Sequence, residues 1–334
     1  IAADSVKITT PEIEKDTAVV CVEGRIKNRS NHNHGILLKT EIFGPDNKLA
    51  AEEVNRVTVY GNTDTYVKQR ITIRKPALWS CETPDLYRCE LRILEAGEET
   101  DTEILNFGIR KLNLDAENGL RINGKEVKLR GACIHHDNGI IGACTLPRAE
   151  ERRCRLLKEA GFNCIRSSHH PLSKAMLDAC DRLGMLVMDE LSDMWEHPKN
   201  INDYAMFFPD CWEQDVERMI DKDFNHPCVI MYSTGNEIQE VGTPGGAELN
   251  RRICEKIRSL DPSRYTTNAF NGLLASIDYK MEISSALREK ASREKKGLND
   301  IMGEAVNPFQ EEVLNASSVH PLMTAKIDEF MAPL

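Results

Sequence analysis

The chain of 334 residues is too long for one ordinary domain and suits two. Hydrophobic residues make up 41% of it and charged residues 29%, which is typical of folded globular proteins and not of disordered chains. The 43 Lys and Arg against 53 Asp and Glu give a net charge of -10, which argues against nucleic acid and anionic membranes as partners. No apolar run approaches the roughly 20 residues of a membrane span, so no membrane anchor is expected.

The sequence contains 11 cysteines, an odd number, scattered as single residues without a CxxC pair. This spacing provides no framework for disulfides, so we expect a reducing, cytoplasmic setting. The first residue is Ile1 rather than Met, and the sequence begins in the middle of a pattern. We therefore expect the chain to be a piece of a longer protein.

The first part of the chain, up to about residue 107, alternates short apolar runs with turn residues. The predicted strands are residues 18–22, 35–38, 41–47, 65–73 and 87–94. Short strands spaced by about 8 to 12 residues, with Asn, Gly, Pro and Asp between them, are typical of an antiparallel β-sandwich of about 100 residues. No pattern in this part indicates catalysis.

After residue 108 apolar strands alternate with amphipathic helices, which indicates βα units around a parallel sheet. The predicted strands are residues 127–132, 163–166, 186–190, 229–234 and 265–271, and the predicted helices are residues 147–160, 173–183, 212–225 and 247–260. Charged helices are predicted over residues 282–296 and 303–314. The glycine-rich residues 242–246 are predicted to form a flexible loop.

Polar residues gather after the predicted parallel strands, at the edge where α/β folds place their active sites. They are His135 and His136, His169 and His170, the segment from Asp189 to Trp195, and Asn236 with Glu237. A sugar pocket needs many hydrogen-bond partners, an aromatic face, and carboxyl groups for proton transfer to a glycosidic oxygen. These residue types fit that requirement, so we predict a carbohydrate substrate.

Several of these residues have a second interpretation. The four histidines could gather around zinc, but adjacent strand residues point to opposite faces, and the sequence has no HExxH motif. Trp195 could be an ordinary core ring. His226, in an Asn-His-Pro segment, fits a turn or packing role better than a catalytic one.

The acidic pair after the third parallel strand also has two interpretations. Asp189 and Glu190 could contact substrate, or they could form an ion network with Arg130 and Arg166. The sequence leaves both open.

Four sets of motifs carry a resemblance to a known family. They are MYSTGNE (residues 231–237), PALWS with PDLY (residues 76–80 and 84–87), FGIR (residues 107–110) and NCIRSSHHP (residues 163–171). The first resembles the W-S-x-G-N-E signature of glycoside hydrolase family 2, and the second resembles a stretch late in the immunoglobulin-like domain of that family. FGIR resembles the family's F-G-x-R junction into the barrel, and NCIRSSHHP resembles its N-x-x-R-x-S-H-x-P motif. The resemblance extends over about residues 5–272, and together the motifs are highly specific.

The resemblance implies an immunoglobulin-like antiparallel β-sandwich over residues 1–107, followed by an incomplete (β/α)8 TIM barrel over residues 108–334. About five of the eight barrel strands are present, and residues 273–334 are predicted to be a charged helical segment. Because a barrel closes only with all its strands, we expect an open sheet edge and, through it, a homo-oligomer.

Within the family, the segments HHDNG (residues 135–139) and DELSDMW (residues 189–195) are most similar to bacterial β-galactosidases. This similarity implies a retaining exo-glycosidase for terminal β-D-galactosides, with two carboxyl groups about 5 to 5.5 Å apart. Glu237 matches the acid/base position, and Asn236 would hold the sugar 2-hydroxyl. The sugar subsite would be lined by four further residues: His135, His169, Asp193 and Trp195.

The chain also departs from the family pattern. The family nucleophile, a glutamate at the end of the seventh strand, has no counterpart between Asn271 and Leu334. The chain is therefore expected to be an inactive fragment that carries the acid/base but not the nucleophile. Some members bind magnesium through a glutamate just beyond the Asp-Glu pair, where this chain has Asp193 and Met194, so no cofactor is predicted.

Other functions are compatible with the same motifs. A β-glucuronidase or a β-mannosidase of the same family would share them. A noncatalytic carbohydrate-binding or scaffold protein on a degenerate barrel is a further alternative, although it would have no need of the Glu237 carboxyl group beside Asn236.

Overall fold

The computed structural model describes residues 1–2, 5–269, 271, 285, 288–289 and 291–295. By its internal contacts the chain divides into two compact units. The first consists of Ile1–Asp189, Glu217–Tyr232 and Asp261–Tyr265, and the second of Glu190–Val216, Ser233–Leu260 and Thr266–Leu334. The predicted helix over residues 303–314 lies outside the described residues. Of the predicted helix over residues 282–296, residues 285, 288–289 and 291–295 lie within them.

The amino-terminal part is an antiparallel β-sandwich. Its strands are β1 (Lys7–Ile13), β2 (Thr17–Lys27), β3 (His34–Phe43), β4 (Leu49–Val59), β5 (Asp64–Arg74), β6 (Tyr87–Glu95) and β7 (Glu98–Phe107). One sheet has the order β1-β2-β5 and the other the order β4-β3-β6-β7. The predicted strands over residues 18–22, 35–38, 65–73 and 87–94 lie within β2, β3, β5 and β6 and are confirmed, whereas β1, β4 and β7 are additional. The predicted strand over residues 41–47 was wrong in its bounds, because β3 ends at Phe43 and a turn follows.

The two sheets enclose an apolar core. Val20, Val22 and Ile71 are buried in it, because successive side chains of a strand point to opposite faces and alternate residues turn inward. The interior also contains one polar pair, in which the Thr40 hydroxyl donates to Gln69 Oε1. This hydrogen bond satisfies two groups that would otherwise destabilise the core.

A small antiparallel sheet and then a parallel sheet follow the sandwich. β8 (Leu112–Asp115), β9 (Gly119–Ile122) and β10 (Lys125–Glu126) form the small sheet in the order β10-β9-β8. β11 (Gly131–His135), β12 (Cys164–Ser168), β13 (Leu186–Glu190), β14 (Val229–Asn236) and β15 (Tyr265–Ala269) are adjacent in that order in a five-stranded sheet. This arrangement confirms the predicted sandwich followed by part of a (β/α)8 barrel.

In the described part of the chain, α-helices connect the parallel strands: α1 (Pro147–Glu159), α2 (Lys174–Leu183), α3 (Phe208–Asp223) and α4 (Pro244–Leu260). α2 begins after Ser173, whose side chain accepts a hydrogen bond from the amide of Met176. It ends at Leu183 and is followed by Gly184, where φ is +66° and a Cβ would lie 2.4 Å from the carbonyl oxygen of Cys81. None of the described helices is long and apolar enough to cross a membrane.

The first parallel strand lies later in the sequence than predicted. The pattern predicts residues 127–132, whereas β11 spans Gly131–His135. Just before β11, the backbone at residues 128 and 130 binds the side chain of Asn163. The amide of Arg130 donates to Asn163 Oδ1 at 2.7 Å, and Asn163 Nδ2 donates to the carbonyl oxygen of Lys128 at 2.9 Å. The predicted boundaries were wrong because a side chain distant in sequence satisfies these backbone groups.

The glycine-rich residues 242–246 also differ from the prediction. α4 already begins at Pro244, and the hydroxyl of Thr243 accepts a hydrogen bond from the amide of Gly246 at 3.1 Å. Proline suits the first helical position because its missing amide hydrogen is not needed there. A Cβ at residue 246 would lie 1.8 Å from the carbonyl oxygen of Glu240. The segment is therefore a tightly packed helix start and not a flexible loop.

Candidate active site

His135 and His169 lie together in the first unit. His135 ends β11, and His169 directly follows β12, with which β11 pairs in parallel. Their rings meet edge to face, with centroids 5.3 Å apart and an interplanar angle of 85°. Arg166 Nη2 lies 3.5 Å from His169 Nδ1. The two predicted histidines thus occupy the same edge of the sheet.

The sequence neighbours of these histidines form a second pair. His136 and His170 stack, with ring centroids 3.9 Å apart and an interplanar angle of 24°. Burial, together with the neighbouring His170, lowers the pKa of His136 from 6.5 to about 4. His136 is therefore neutral at neutral pH.

The described residues contain one group of potential metal ligands, and it is not at the carboxyl ends of the strands. The ligand atoms of Asp181, His226 and Cys228 lie within 4.8 Å of one another, and all three residues are buried. His226 Nδ1 lies 2.6 Å from Asp181 Oδ2, and the amide of Cys228 donates to Asp181 Oδ1 at 2.9 Å. These residues already satisfy one another, so we interpret the group as a structural cluster, in line with the packing role expected for His226.

Asp189 is fully buried and has a partner that sequence reasoning missed. Its carboxylate accepts a hydrogen bond from the amide of Leu172 at 2.9 Å and forms an ion pair with Lys222 Nζ at 3.2 Å. Lys222 also pairs with Asp223. Burial by itself lowers the pKa of Lys222, but the two carboxylates outweigh burial and raise it above its usual value. Lys222 therefore stays charged inside the first unit.

In the second unit, buried hydrogen bonds hold the carboxyl-terminal end of β14. Ser233 Oγ donates to Glu190 Oε2 at 2.7 Å, and Thr234 Oγ1 donates to Asn250 Oδ1 at 2.7 Å. Asn268 Nδ2 donates to Thr234 Oγ1 at 3.1 Å. Hydrogen bonds are electrostatically stronger in a protein interior than in water. These bonds therefore fix the end of β14 and, with it, the position of the residues that follow.

Asn236 and Asp193 are in direct contact in the second unit. Asn236 Nδ2 donates to Asp193 Oδ1 at 2.8 Å. Lys199 Nζ donates to the same oxygen at 2.7 Å and to the carbonyl oxygen of Asn236 at 2.8 Å. The structure thus brings two predicted site residues together. Lys199 was not predicted, because it lies in a segment without strand or helix periodicity.

Glu237 directly follows β14 and is exposed. Its φ of 48° lies in the left-handed region, which residues with a Cβ rarely adopt. Its amide donates to the carbonyl oxygen of Ala269 at 2.9 Å, and Asn271 Nδ2 donates to Glu237 Oε1 at 3.4 Å. The backbone turns sharply at the end of the strand and leaves the carboxyl group accessible.

Trp195 is a core residue of the second unit. Its side chain is fully buried, its Nε1 donates to the carbonyl oxygen of Thr234 at 2.9 Å, and its ring stacks on Phe208. A Cβ at residue 235 would lie 2.8 Å from Trp195 Nε1, so Gly235 permits this close packing. The position favours the core-ring interpretation over the predicted sugar contact.

Glu240 holds the segment that follows β13. Its Oε1 accepts hydrogen bonds from the amides of Glu196 and His197 at 2.8 and 3.0 Å. Sequence reasoning missed this buried residue because the donors are 44 and 43 positions away. Only the side-chain type, a carboxylate near the Asn-Glu motif, could have drawn attention to it.

Two family models match the chain. The model described as "Glycosyl hydrolases family 2, TIM barrel domain" matches residues 115–312, and the model described as "Glycosyl hydrolases family 2" matches residues 2–110. The first match alone covers more than half of the chain. The chain therefore belongs to glycoside hydrolase family 2.

Curated relatives carry two kinds of name. The chain is 36% identical over 233 residues to a β-galactosidase of Bacteroides ovatus. The aligned region covers 70% of this chain and 27% of that protein. It is 27% identical over 274 residues to a β-glucuronidase of Bacteroides fragilis. Here the aligned region covers 81% of this chain and 39% of that protein. The chain thus spans well under half the length of these relatives. The resemblance to bacterial β-galactosidases is confirmed.

Solved structures agree with this assignment. A family 2 glycosyl hydrolase from Bacteroides cellulosilyticus has a TM-score of 0.79 and 40% identity, over 81% of this chain and 35% of that chain. A β-glucuronidase from Bacteroides uniformis has a TM-score of 0.73 and 27% identity, over 83% of this chain and 34% of that chain.

Proposed function

We propose that the full-length protein is a retaining exo-β-galactosidase and that this chain supplies its acid/base residue, Glu237. The observation that carries the proposal is the position of Glu237 at the end of β14, beside Asn236, whose side chain is bonded to Asp193. Such an enzyme needs a carboxyl group that substrate can reach, next to groups that hold the sugar hydroxyls. The similarity to a β-galactosidase of Bacteroides ovatus supports the choice of sugar.

Glu237 acts twice in the proposed reaction. As an acid, it protonates the glycosidic oxygen while a second carboxylate, from outside the described residues, attacks the anomeric carbon. The bond to the leaving group breaks as the bond to the enzyme forms. As a base, Glu237 then takes a proton from water, which displaces the enzyme carboxylate and releases the sugar.

Other polar residues bind the sugar in this proposal. Asn236 donates to the 2-hydroxyl, a contact that strengthens in the transition state. His135, His169 and Asp193 bind other hydroxyls, because each supplies polar atoms at the carboxyl end of a strand or just beyond it. Trp195 supports Asn236 and Glu237 through its packing on Gly235.

A β-glucuronidase is the second candidate. Its support is the similarity to the β-glucuronidases of Bacteroides fragilis and Bacteroides uniformis. An enzyme of this kind needs cationic side chains for the sugar carboxylate. A panel of substrates separates the two candidates directly.

We further propose a reducing, cytoplasmic compartment and self-association through β11. The proposed compartment rests on the free thiols. Even the buried Cys154 and Cys180, whose sulfurs lie 3.9 Å apart, form no disulfide. The proposed self-association rests on the edge of the sheet, since among the described strands β11 is bonded to β12 alone. Unpaired strand edges associate with other chains. Light scattering that shows a monomer of this chain at high concentration would contradict self-association.

The proposed activity is tested with aryl β-D-glycosides of galactose, glucuronic acid, mannose and glucose. We expect the full-length protein to cleave the galactoside best, and Glu237→Gln to lower its kcat/KM about 10²- to 10⁴-fold. Glu248→Gln, an exposed carboxylate change in the same unit, is the control and should retain activity.

Each other outcome of this panel has a definite meaning. Preference for the glucuronide selects the second candidate, and preference for the mannoside selects a β-mannosidase. Full activity of Glu237→Gln excludes Glu237 as the acid/base. No cleavage of any substrate by the unaltered full-length protein selects the noncatalytic scaffold.

A further inference from the structure

Lys199 connects two residues of the proposed active site. Its Nζ donates to Asp193 Oδ1 at 2.7 Å and to the carbonyl oxygen of Asn236 at 2.8 Å. Asn236 Nδ2 donates to the same carboxylate oxygen at 2.8 Å, so the three residues form a closed ring of hydrogen bonds. All three bonds involve the Lys199 ammonium, the Asp193 carboxylate or both, which makes them stronger than neutral hydrogen bonds.

The peptide group between Asn236 and Glu237 is held at both of its polar atoms. Its carbonyl oxygen accepts from Lys199 Nζ, and its N–H donates to the carbonyl oxygen of Ala269 at 2.9 Å. A peptide group is planar, so two bonds on opposite sides define its orientation. This orientation accompanies the φ of 48° at Glu237, a conformation that persists only where the surroundings impose it.

Lys199 is itself held in place by Asp203. The amides of Lys199 and Asn200 donate to Asp203 Oδ2 at 2.7 and 2.9 Å. The hydrogen bond from the amide of Asn200 is the largest of several effects that lower the pKa of Asp203. Asp203 is therefore an ionised acceptor. The Lys199 side chain, only 18% exposed, has a defined position as a result.

We propose that Lys199 is a positioning residue, which orients the Asn236–Glu237 peptide group and thereby aims the Glu237 carboxyl group at the leaving-group oxygen. The proposal rests on the proposed function, in which Glu237 is the acid. Lysine suits this task because one Nζ has three hydrogens and binds both acceptors at once. A displacement of about 1 Å at a catalytic group is enough to slow a reaction about 10²-fold.

The test separates acid catalysis from general damage by changing the leaving group. In the full-length protein, Lys199→Met is compared with the unaltered enzyme on the phenyl and the dinitrophenyl glycoside of whichever sugar the panel selects. Phenol is a poor leaving group that needs the acid, and dinitrophenol leaves without one. We expect kcat/KM to fall about 30-fold for the phenyl glycoside and less than about threefold for the dinitrophenyl glycoside.

Two further variants complete the design. Glu237→Gln measures the loss for the acid itself, and Lys48→Met, an exposed lysine paired with Asp46, should leave both rates unchanged. The ratio of the two rates does not depend on the amount of folded enzyme. If Lys199→Met does not fold, Lys199→Gln, which also removes the ammonium, is measured in the same way.

The outcomes distinguish this inference from the proposed function. If both Glu237→Gln and Lys199→Met change the ratio of kcat/KM on the phenyl and dinitrophenyl glycosides, the proposed function and the role of Lys199 are both supported. A changed ratio in Glu237→Gln alone, or an equal loss on both substrates in Lys199→Met, overturns the role of Lys199 and leaves the role of Glu237. An unchanged ratio in Glu237→Gln overturns the proposed function, and the inference with it.

Discussion

The indole N–H of Trp79 donates a hydrogen bond to the carbonyl oxygen of Asp181 at 2.9 Å, across 102 positions of the sequence. Trp79 follows the sandwich strand β5 and precedes β6, and Asp181 lies in α2, beside the parallel sheet. Both belong to the first unit. Nearby, Lys158 Nζ donates to the carbonyl oxygens of Cys81 and Gly184 at 2.6 and 3.0 Å. Within this unit, hydrogen bonds therefore join segments of the sandwich to segments of the barrel.

Trp79→Phe should lower the free energy of unfolding of this chain by about 1–3 kcal/mol, because the buried carbonyl oxygen of Asp181 loses its donor. Urea unfolding measures the change. Tyr66→Phe, at a side chain that is 79% exposed, is the matched control and should change little. Equal effects of the two substitutions would show that the indole hydrogen bond is unimportant.

Asp181→Ala should be more damaging, by about 3–5 kcal/mol, because it leaves both His226 Nδ1 and the amide of Cys228 without their acceptor in the interior. Asp178→Ala, on the less buried side of the same helix, should cost under about 0.5 kcal/mol. Urea unfolding of both variants measures the difference. A mild effect of Asp181→Ala would contradict the structural role of the cluster.

His136 should make the stability of the chain depend on pH. Its pKa is about 4 in the folded chain and near 6.5 when unfolded, so the unfolded state binds more protons between these values. The free energy of unfolding should therefore fall as the pH decreases from 6.5 to 4, by about 1–2 kcal/mol for a half-buried ring after solvent screening.

The check on His136 is the pH profile of urea unfolding. His136→Asn should flatten this part of the profile, whereas His32→Asn, at an exposed histidine, should leave it unchanged. Identical profiles for His136→Asn and the unaltered chain would refute the assignment.

Gly235→Ala should destabilise the second unit by about 1–3 kcal/mol, because the added methyl group would lie 2.8 Å from both Trp195 Nε1 and Ile238 Cγ1. Gly245→Ala is the control, since nothing lies within 4 Å of a Cβ there. In the full-length protein, Gly235→Ala should also reduce kcat, because Asn236 and Glu237 follow directly. Normal stability of this variant, measured by thermal unfolding, would contradict the packing described for Trp195.

This chain by itself should not hydrolyse the aryl glycosides that we propose as substrates of the full-length protein. A retaining mechanism needs a second carboxylate as nucleophile, and Glu237 is assigned to the acid/base role. The measurement is release of the phenol by the purified chain at high concentration. Turnover that disappears in Glu237→Gln would place a nucleophile within these residues.

Much of the fold followed from local patterns. Alternation with a period of two predicted strands within β2, β3, β5 and β6, and β13 has the bounds that the pattern predicts. Among the residues singled out after the strands, the structure brings His135 into contact with His169 and Asn236 into contact with Asp193. The division at residues 107 and 108 and the roles of these residues stay predictions.

The amino-acid sequence by itself determined the fold class and the family, because periodicity and short motifs are local properties. It also predicted Glu237 as the candidate acid. Only the tertiary structure decided which partners these residues have. Asp189 pairs with Lys222, Trp195 packs under Gly235, and Lys199 reaches the carbonyl oxygen of Asn236. These contacts join segments far apart in the chain, where neither spacing nor propensity specifies a partner, and only the packed interior excludes the alternatives.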